Sequence, residues 1–325
     1  MAGLKQIKSK IRSVEKTETV TRAMEAVSAA KMRKAQLTAL NGRAYAKAAV
    51  SILARVSGSD VLRNHPLLRG SNSFKTAPSQ PAGLQGDGFE GAVFSPALYI
   101  VITSDKGLAG GLNSAVLRAV ANDIRESGLS TNDVSIVAVG KKANDFFTAR
   151  GFKVVLYRPN TQELDATLIS EIVARAADEF SQGTVNIVKI AYQNFISTFE
   201  QRPTVRTVFP LMLSELEAVV SDITPKRGAF AEREVSITAA PYTIEPSEAE
   251  VFDAILPRLA SIFVYHALLE SQASEHSARM VAMKSASDKA RELEHSLTLQ
   301  FNKARQAAIT REVSEITGGM EAMAH

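Results

Sequence analysis

The chain of 325 residues contains no cysteine, which excludes disulfide bonds, thiol catalysis and thiol-based redox switching. Histidine is scarce as well. The five histidines are His65, His266, His276, His295 and His325, and no two of them stand three to five residues apart. Because a helical metal pair needs that spacing, we expect no metal site, and nothing else in the sequence indicates a cofactor.

Long apolar runs are also missing. No stretch reaches the 18 apolar residues of a membrane span, and the lysine-rich N-terminus lacks the apolar core of a signal peptide. With 45% hydrophobic and 22% charged residues, the chain has enough apolar surface for one compact domain and a helical extension. We therefore expect a soluble protein inside the cell, with no signal peptide and no transmembrane segment.

Glycine and proline are absent from two long stretches at the ends of the chain. Residues 258–317 contain neither type, although the chain holds 18 glycines and 11 prolines, and Leu4–Asn41 contains neither. As a single helix at about 1.5 Å per residue, the C-terminal stretch would be about 90 Å long, which does not fit inside an ordinary domain. We expect the N-terminal helix to continue through Asn41-Gly42 to about residue 56.

Both stretches carry apolar residues at helical spacing. On the N-terminal stretch these are Leu4, Ile7, Ile11, Val14, Val20, Met24, Val27, Met32, Leu37 and Leu40. On the C-terminal stretch they are Ile262, Leu269, Ala273, Met280, Met283, Ala286, Ala290, Leu293, Leu297, Ala304, Ala308, Val313 and Ile316. Each stripe is too narrow to stabilise a helix alone, so the pattern predicts an antiparallel coiled coil of the two ends. This pairing is expected to bring residues 24 and 306 within about 10 Å of each other.

The two ends carry charge of opposite sign. Residues 1–57 hold 12 Lys+Arg and 3 Asp+Glu, whereas residues 247–325 hold 8 and 11. Exposed ion pairs contribute only about 0–1 kcal/mol each, so the apolar seam must supply most of the pairing energy. The basic excess of the first helix also exceeds what its partner can match, so part of that surface should face another protein, a nucleic acid or lipid headgroups.

Strands and helices alternate between the two ends, which predicts a parallel sheet. Predicted strands are Ala97–Thr103, Val134–Val139, Val154–Tyr157, Val185–Ser197 and Thr204–Phe209, the last two forming a hairpin through residues 201–203. One predicted helix begins at Leu112, and two others span Lys141–Arg150 and Leu164–Phe180. The fold class is thus α/β, a Rossmann-like globular domain with a long antiparallel coiled coil. Predicted regions are an N-terminal coiled-coil helix (1–57), a flexible insert rich in glycine and proline (58–96), the globular domain (97–224), a linker (225–246) and a C-terminal coiled-coil helix (247–325).

A glycine-rich segment, residues 104–113, lies between the first predicted strand and its helix. Backbone amides at such a turn can hold an anion. Neither the dinucleotide pattern G-x-G-x-x-G nor the P-loop pattern is present, however, and the Gly140-Lys141-Lys142 sequence lacks the hydroxyl residue of a P-loop. We therefore interpret Gly107, Gly110 and Gly111 as parts of a structural turn, and predict no catalytic or cofactor-binding residues.

Three separated segments resemble the gamma subunit family of F-type ATP synthase, the central rotor shaft. The first segment comprises Ile7–Val14, Thr21–Val27 and Lys31–Gln36. The second is the glycine-rich turn, Ser-Asp-Lys-Gly-Leu-Ala-Gly-Gly-Leu-Asn, at residues 104–113. The third comprises Asn302–Glu312 and Glu315–Gly319. Lys106 and Ala109 stand where Arg and Cys are common in the family, and Met320 stands where Ala is usual.

The resemblance implies a mechanical role without catalysis by this chain. One copy would turn inside a hexamer of alpha and beta subunits, coupling proton flow to ATP synthesis or hydrolysis. The globular foot would bear on the epsilon subunit and the membrane c-ring. The chain would be a peripheral protein on the cytoplasmic face of the bacterial inner membrane. Implied contacts with the hexamer are Met24, Arg33, Arg305, Gln306 and Thr310, although Met24 can equally pack in the seam.

Two other classes of function stay open at this point. The middle domain could be a nucleotide-binding enzyme that uses the helices as a dimerisation arm, which predicts nucleotide binding by the isolated chain. A scaffold that binds nucleic acid through its basic helix would bind less tightly as salt increases, and would stack bases on aromatic side chains. Since Tyr45 is the only aromatic residue in positions 1–57, nucleic acid is not expected as a partner.

Overall fold

The computed structural model describes residues 2–56, 65–69, 96–161, 165–211 and 247–323. The chain divides into two compact units. Unit 1 combines Met1–Ala30 with Ser277–His325, and unit 2 comprises Lys31–His276. The predicted linker 225–246 and most of the predicted insert 58–96 lie outside the described residues.

The two terminal helices are long and uninterrupted. Helix α1 spans Ala2–Val56, so the prediction that it continues past Asn41-Gly42 is confirmed. Helix α6 spans Glu248–Met323, within the predicted 247–325, and extends at both ends beyond the stretch 258–317 that lacks glycine and proline. Ser247 caps its start, since the Glu250 N–H donates to Ser247 Oγ at 3.3 Å and this hydroxyl donates to the Glu250 carboxylate at 3.0 Å.

In unit 1 the helices pair along a seam in which buried and half-buried residues recur at alternating spacings of three and four. On α1 the seam comprises Leu4, Ile7, Ile11, Val14, Glu18, Thr21, Glu25 and Ser28. On α6 it comprises Met283, Ser287, Ala290, Glu294, Leu297, Phe301, Ala304 and Ala308. This is the heptad repeat of a coiled coil.

The helices of unit 1 run antiparallel. Arg291 Nη2 donates to Glu18 Oε1 at 2.9 Å, which sets one point of the register. The last half-buried seam residue of α6 is Ala308. Its separation from Arg291 along α6 is about equal to the separation of Ala2 from Glu18 along α1. Burial on α6 therefore stops where α1 begins, as antiparallel pairing requires.

Several predicted seam residues are wrong. Val20, Val27, Leu293, Val313 and Ile316 are exposed, and so is Leu37 of unit 2. Ile262 packs against the core of the sheet domain and takes no part in the seam. The reason is that the seam keeps a strict repeat of 3.5 residues and so passes through polar Thr21 and Ser28.

The expected short distance between residues 24 and 306 is also wrong. The Glu18–Arg291 contact places residue 24 opposite about residue 285. Residue 306 then lies about 21 residues farther along the shaft, or about 30 Å. Met24 and the segment 305–310 therefore occupy different levels of the coiled coil.

Unit 2 contains a five-stranded sheet in the order β3-β2-β1-β4-β5. The strands are β1 (Ala97–Ile102), β2 (Val134–Val139), β3 (Lys153–Arg158), β4 (Ile187–Phe195) and β5 (Gln201–Phe209). The first four are parallel, and β5 is antiparallel to β4. The remaining helices are α2 (Pro66–Arg69), α3 (Leu112–Glu126), α4 (Lys141–Thr148) and α5 (Ala166–Ser181). The predicted α/β class and strand pattern are confirmed.

Helices cover both faces of the sheet. On one face Tyr99 of β1 packs with Val120 of α3 and Phe147 of α4. On the other face Ile100 packs in a cluster with residues of α5 and α6, including Phe263. Burial on both faces explains why β1, at the centre of the sheet, is a continuous apolar run.

The β4–β5 hairpin turns earlier than predicted. The Glu200 N–H donates to the Ser197 carbonyl at 3.3 Å, and β5 already begins at Gln201. Pro203 lies within β5, opposite Gln193. The predicted turn at residues 201–203 is therefore wrong, because proline is compatible with an edge strand and β5 lies at the edge of the sheet.

A short ordered segment falls within the predicted insert. Leu67 of α2 is buried in the core of the sheet domain, and its carbonyl accepts the Leu211 N–H at 3.0 Å. His65 Nε2 lies 2.9 Å from Asp253 Oδ1, while its Nδ1 accepts the Leu67 N–H at 3.2 Å. Residues 65–69 are thus attached to both the sheet domain and α6.

One described helix contains a stretch apolar and long enough to cross a membrane. This stretch lies within Glu250–Thr317 of α6, and half of it is buried inside the protein. The apolar residues that α6 supplies to the core of the sheet domain are Phe252, Leu256, Leu259, Ala260, Phe263, Val264, Ala267 and Leu268. Packing on the sheet therefore accounts for the apolar character of this part of α6.

Candidate functional site

The glycine-rich turn joins β1 to α3 and has two residues in the left-handed region. Leu108 has φ of 64° and is 61% exposed, and Gly110 has φ of 58°. A side chain at Gly110 would meet no neighbour, so the positive φ, and not lack of space, favours glycine there. A non-glycine residue such as Leu108 in this conformation is uncommon.

Side chains of the turn occupy its own polar groups. Asn113 Oδ1 accepts the Ser104 N–H at 3.0 Å, and Asn113 Nδ2 donates to Ser104 Oγ at 2.7 Å. The Ser104 hydroxyl donates to the Lys106 carbonyl at 2.6 Å. These bonds close the turn on itself.

The N-terminus of α4 is likewise occupied by side chains of the residues that follow β1. Asp105 Oδ1 accepts the Lys141 N–H at 2.8 Å, and Thr103 Oγ1 accepts the Ala143 N–H at 2.9 Å. Gly140 precedes the helix with φ of 98°, and a Cβ there would lie 2.1 Å from the Thr103 carbonyl oxygen. A carboxylate already stands where a phosphate would bind, so this helix start is unsuited to nucleotide phosphates.

The crevice at the carboxyl edge of the sheet is bonded to residues of α6. Ligands of open α/β sheets bind at this edge, where the strand order reverses, here between β1 and β4. Gln272 Nε2 donates to the Thr161 carbonyl at 2.8 Å, and Ser274 Oγ donates to the Gln193 carbonyl at 3.2 Å. Gln193 Nε2 in turn donates to the Leu112 carbonyl at 2.8 Å. This occupied crevice does not favour the nucleotide-binding alternative.

A half-buried polar cluster connects α3 to the sheet. Tyr99 donates to Asp123 Oδ2 at 2.6 Å, and Lys189 Nζ donates to the same oxygen at 2.7 Å. Burial raises the pKa of the Tyr99 phenol, and the hydrogen bond to Asp123 is the second largest cause of the shift. The phenol therefore stays protonated. The cluster fixes one helix and two strands, and it contains no activated nucleophile.

No metal centre is found in the part of the chain that the structure describes, where no three His, Asp or Glu side chains are arranged to hold an ion. The coiled coil carries the densest exposed charge of the N-terminal helix. The exposed cations of α1 in unit 1 are Lys5, Lys8, Lys10, Arg12, Lys16 and Arg22. This face presents dense positive charge to solvent.

The predicted contact residues occupy different places. Arg305, Gln306 and Thr310 are exposed and lie within about a turn and a half of α6, with Thr310 Oγ1 donating to the Gln306 carbonyl at 3.0 Å. Met24 is half-buried beside the seam, so packing and contact both stay open for it. Arg33 is exposed and belongs to unit 2.

Sequence reasoning missed an exposed apolar stripe near the end of α6. Ile309, Val313, Ile316 and Met320 are exposed at spacings of four, three and four, and Val313 and Ile316 had been assigned to the seam. In the register set by Glu18 and Arg291, Ala2 at the start of α1 stands opposite about residue 307, so α1 does not cover the residues beyond 308. The stripe extends the shaft beyond its paired part.

These features define a class of protein: an α/β sheet domain inserted between two terminal helices that pair as a coiled coil. A family model described as ATP synthase matches residues 3–323. The sequence is 37% identical to the ATP synthase gamma chain of Heliobacterium modesticaldum, over 99% of this chain and 100% of that one. The chain belongs to the ATP synthase gamma chain family.

Solved structures share the fold. A chain of the Euglena gracilis mitochondrial ATP synthase, in an OSCP/F1/c-ring structure, aligns with a TM-score of 0.59 and 19% identity over 99% of this chain and 95% of that one. A chain from the central stalk and c-ring of the Tetrahymena thermophila mitochondrial ATP synthase aligns with a TM-score of 0.53 and 23% identity, over 82% of this chain and 99% of that one. At these identities the similarity establishes the fold.

Proposed function

We propose that the chain is the non-catalytic rotor of the central stalk in a proton-translocating F-type ATP synthase. The observation that carries this proposal is the pairing of the chain's two ends into one heptad coiled coil, which continues into an unpaired apolar tip. A shaft of this kind can transmit torque because its two helices are held together along their length. Catalysis would reside in the surrounding ring of alpha and beta subunits.

The shaft surface supports contacts at two levels. Arg305, Gln306 and Thr310 present polar groups near the tip, and Met24 lies about 30 Å away along the shaft. Arg33 would add a third contact from unit 2. Weak, exposed charge pairs between the basic face and acidic loops of the ring would attract without locking the rotor.

The remaining partners are those that the family resemblance implies for the sheet domain. The sheet domain, residues 97–224, would bear on the epsilon subunit and the membrane c-ring. One copy per complex would hold the three catalytic sites of the ring in different states, because a single asymmetric shaft cannot match a threefold ring. The chain would thus be a peripheral protein on the cytoplasmic face of the bacterial inner membrane.

Co-purification tests the assembly. The full chain, tagged in its native cells and extracted from membranes at low salt, should be recovered with alpha, beta and epsilon subunits and the c-ring. Recovery without an ATPase ring would contradict the proposal.

Nucleotide binding tests the enzyme alternative. Titration of the purified full chain with ATP and with NADH, followed by calorimetry, should give no saturable binding at millimolar concentrations. Saturable binding that is weakened by replacing Gly110, in the turn, would favour the enzyme. Binding unaffected by that replacement would place any nucleotide elsewhere in the chain.

A further inference from the structure

The coiled-coil seam of unit 1 changes character along its length. The half of the seam nearer the start of α1 is apolar, and it comprises Leu4, Ile7, Ile11 and Val14 on α1 with Leu297, Phe301, Ala304 and Ala308 on α6. Its other half is rich in polar residues and comprises Glu18, Thr21, Glu25 and Ser28 with Met283, Ser287, Ala290 and Glu294. Thr21, Ser28 and Ser287 are buried there.

An apolar heptad seam specifies register weakly. If one helix slips by seven residues, many apolar side chains again face apolar side chains, and the loss is confined to the ends. Polar and charged groups at or beside the seam are the usual means of fixing a single register. The polar half is therefore where the alignment of this shaft must be encoded.

The Glu18–Arg291 pair has the geometry for this task. Its atoms lie 2.9 Å apart across the two helices, and the Glu18 side chain is only 19% exposed, whereas Arg291 is 62% exposed. A carboxylate so largely withdrawn from water costs free energy when it has no cation. Arg291 supplies that cation from the edge of the seam.

The heptad spacing places a second set of opposite charges one repeat away. Glu25 stands seven residues after Glu18, and Lys284 stands seven residues before Arg291. In the observed register these two positions correspond across an antiparallel pair. A slip of one heptad in one direction would put Glu18 opposite Thr298, and a slip in the other would put Glu25 opposite Ser277. Either slip therefore leaves one carboxylate without a cation.

We propose that Glu18 and Arg291, supported by Glu25 and Lys284, are positioning residues that fix the axial register of the shaft. A slip of one heptad would move the contact residues on the two helices by about 10 Å relative to one another. The effect of such a slip on torque rests on the proposed rotor function. The register itself is a property of the chain alone.

Engineered cross-links read the register directly, because the chain has no native cysteine. Cysteines at Ile11 and Leu297 report the observed register, and cysteines at Ile11 and Ala290 report a slip of one heptad. In the observed register the second pair is separated by about 10 Å along the axis, too far for a disulfide. Oxidation of the purified full chain followed by electrophoresis gives the yield of each.

Reversal of the charge at Arg291 should favour that particular slip. In Arg291→Glu, the slipped register returns Lys284 to Glu18, so the ratio of the 11–297 to the 11–290 cross-link should fall about tenfold or more. Lys289→Glu is the matched control, because Lys289 lies on the same helix and pairs with Glu292 of its own helix. It should leave the ratio unchanged.

Two further variants distinguish positioning from general stabilisation. Arg291→Lys keeps the charge and should keep the 11–297 cross-link, and the double variant Glu18→Arg with Arg291→Glu should restore it. Failure of the double variant to restore the cross-link would overturn the proposal, as would equal ratios in Arg291→Glu and Lys289→Glu. Since no ring is needed for these measurements, their outcome is separate from that of the rotor assignment.

Discussion

Replacement of Gly140 by alanine should destabilise the sheet domain by more than the backbone strain of a positive φ alone. Gly140 has φ of 98°, and an added Cβ would lie 2.1 Å from the carbonyl oxygen, 2.7 Å from the carbonyl carbon and 2.8 Å from Oγ1 of Thr103. These atoms belong to Thr103, the residue after β1, whose N–H donates to the Val139 carbonyl at 2.8 Å. Either β1 or the start of α4 must therefore move.

The expected cost has two parts. A side chain in the left-handed region costs about 1–3 kcal/mol. Displacement of Thr103 also weakens its bonds with the Ala143 N–H and with Asn160 Nδ2, at 2.9 and 2.8 Å. At about 0.5–1.5 kcal/mol for each bond, the total loss in free energy of unfolding should be about 2–6 kcal/mol.

Gly151→Ala is the matched control. Gly151 also has a positive φ, of 78°, but an added Cβ would meet nothing within 4 Å, so only the backbone strain applies. Urea denaturation of the full chain, followed by circular dichroism, gives both losses. If Gly140→Ala costs no more than Gly151→Ala, the close approach of Gly140 to Thr103 is refuted.

Three other predictions concern the domain and the shaft. Folding raises the pKa of Tyr99, so the stability that its neutral phenol contributes is present below about pH 10 and is lost as the pH rises further. In urea denaturation, Tyr99→Phe should therefore lose less stability at alkaline pH than the unchanged chain. Equal alkaline losses would contradict this prediction. Ala308→Trp places an indole at the edge of the seam and should impair assembly or turnover, and unchanged steady-state ATPase of the reconstituted complex would contradict this. Arg305→Ala should lower the turnover of that complex more than Lys303→Ala, an exposed cation on the same helix, whereas equal effects would remove Arg305 from the ring contact.

The central strands β1 and β2 were predictable from sequence because they are buried on both faces. Val134–Val139 is apolar except for Ser135, and the structure places β2 at those same residues. The long helices were predictable for a simpler reason, namely that Leu4–Asn41 and residues 258–317 contain no glycine or proline. Asn41-Gly42 did not end α1, since one glycine costs a helix only about 1 kcal/mol.

The phase of the seam was not predictable from apolarity. Val20 looked like a seam residue and Thr21 did not, yet Thr21 is the buried one. Partner geometry decides this, because a coiled coil keeps its 3.5-residue repeat even where the residues at those positions are polar. The surface residues that would meet a ring remain a prediction for the same reason, since their partners lie outside the chain.

Rotation of a single probe in a working complex tests the rotor proposal most directly. Phe199, 85% exposed at the tip of the β4–β5 hairpin, can be replaced by cysteine and carry the probe as the only thiol of the chain. With the alpha and beta subunits fixed to a surface, ATP should drive the probe in one direction, with three resting positions in each turn. A probe that stays at one angle while the same complexes hydrolyse ATP would contradict the rotor role.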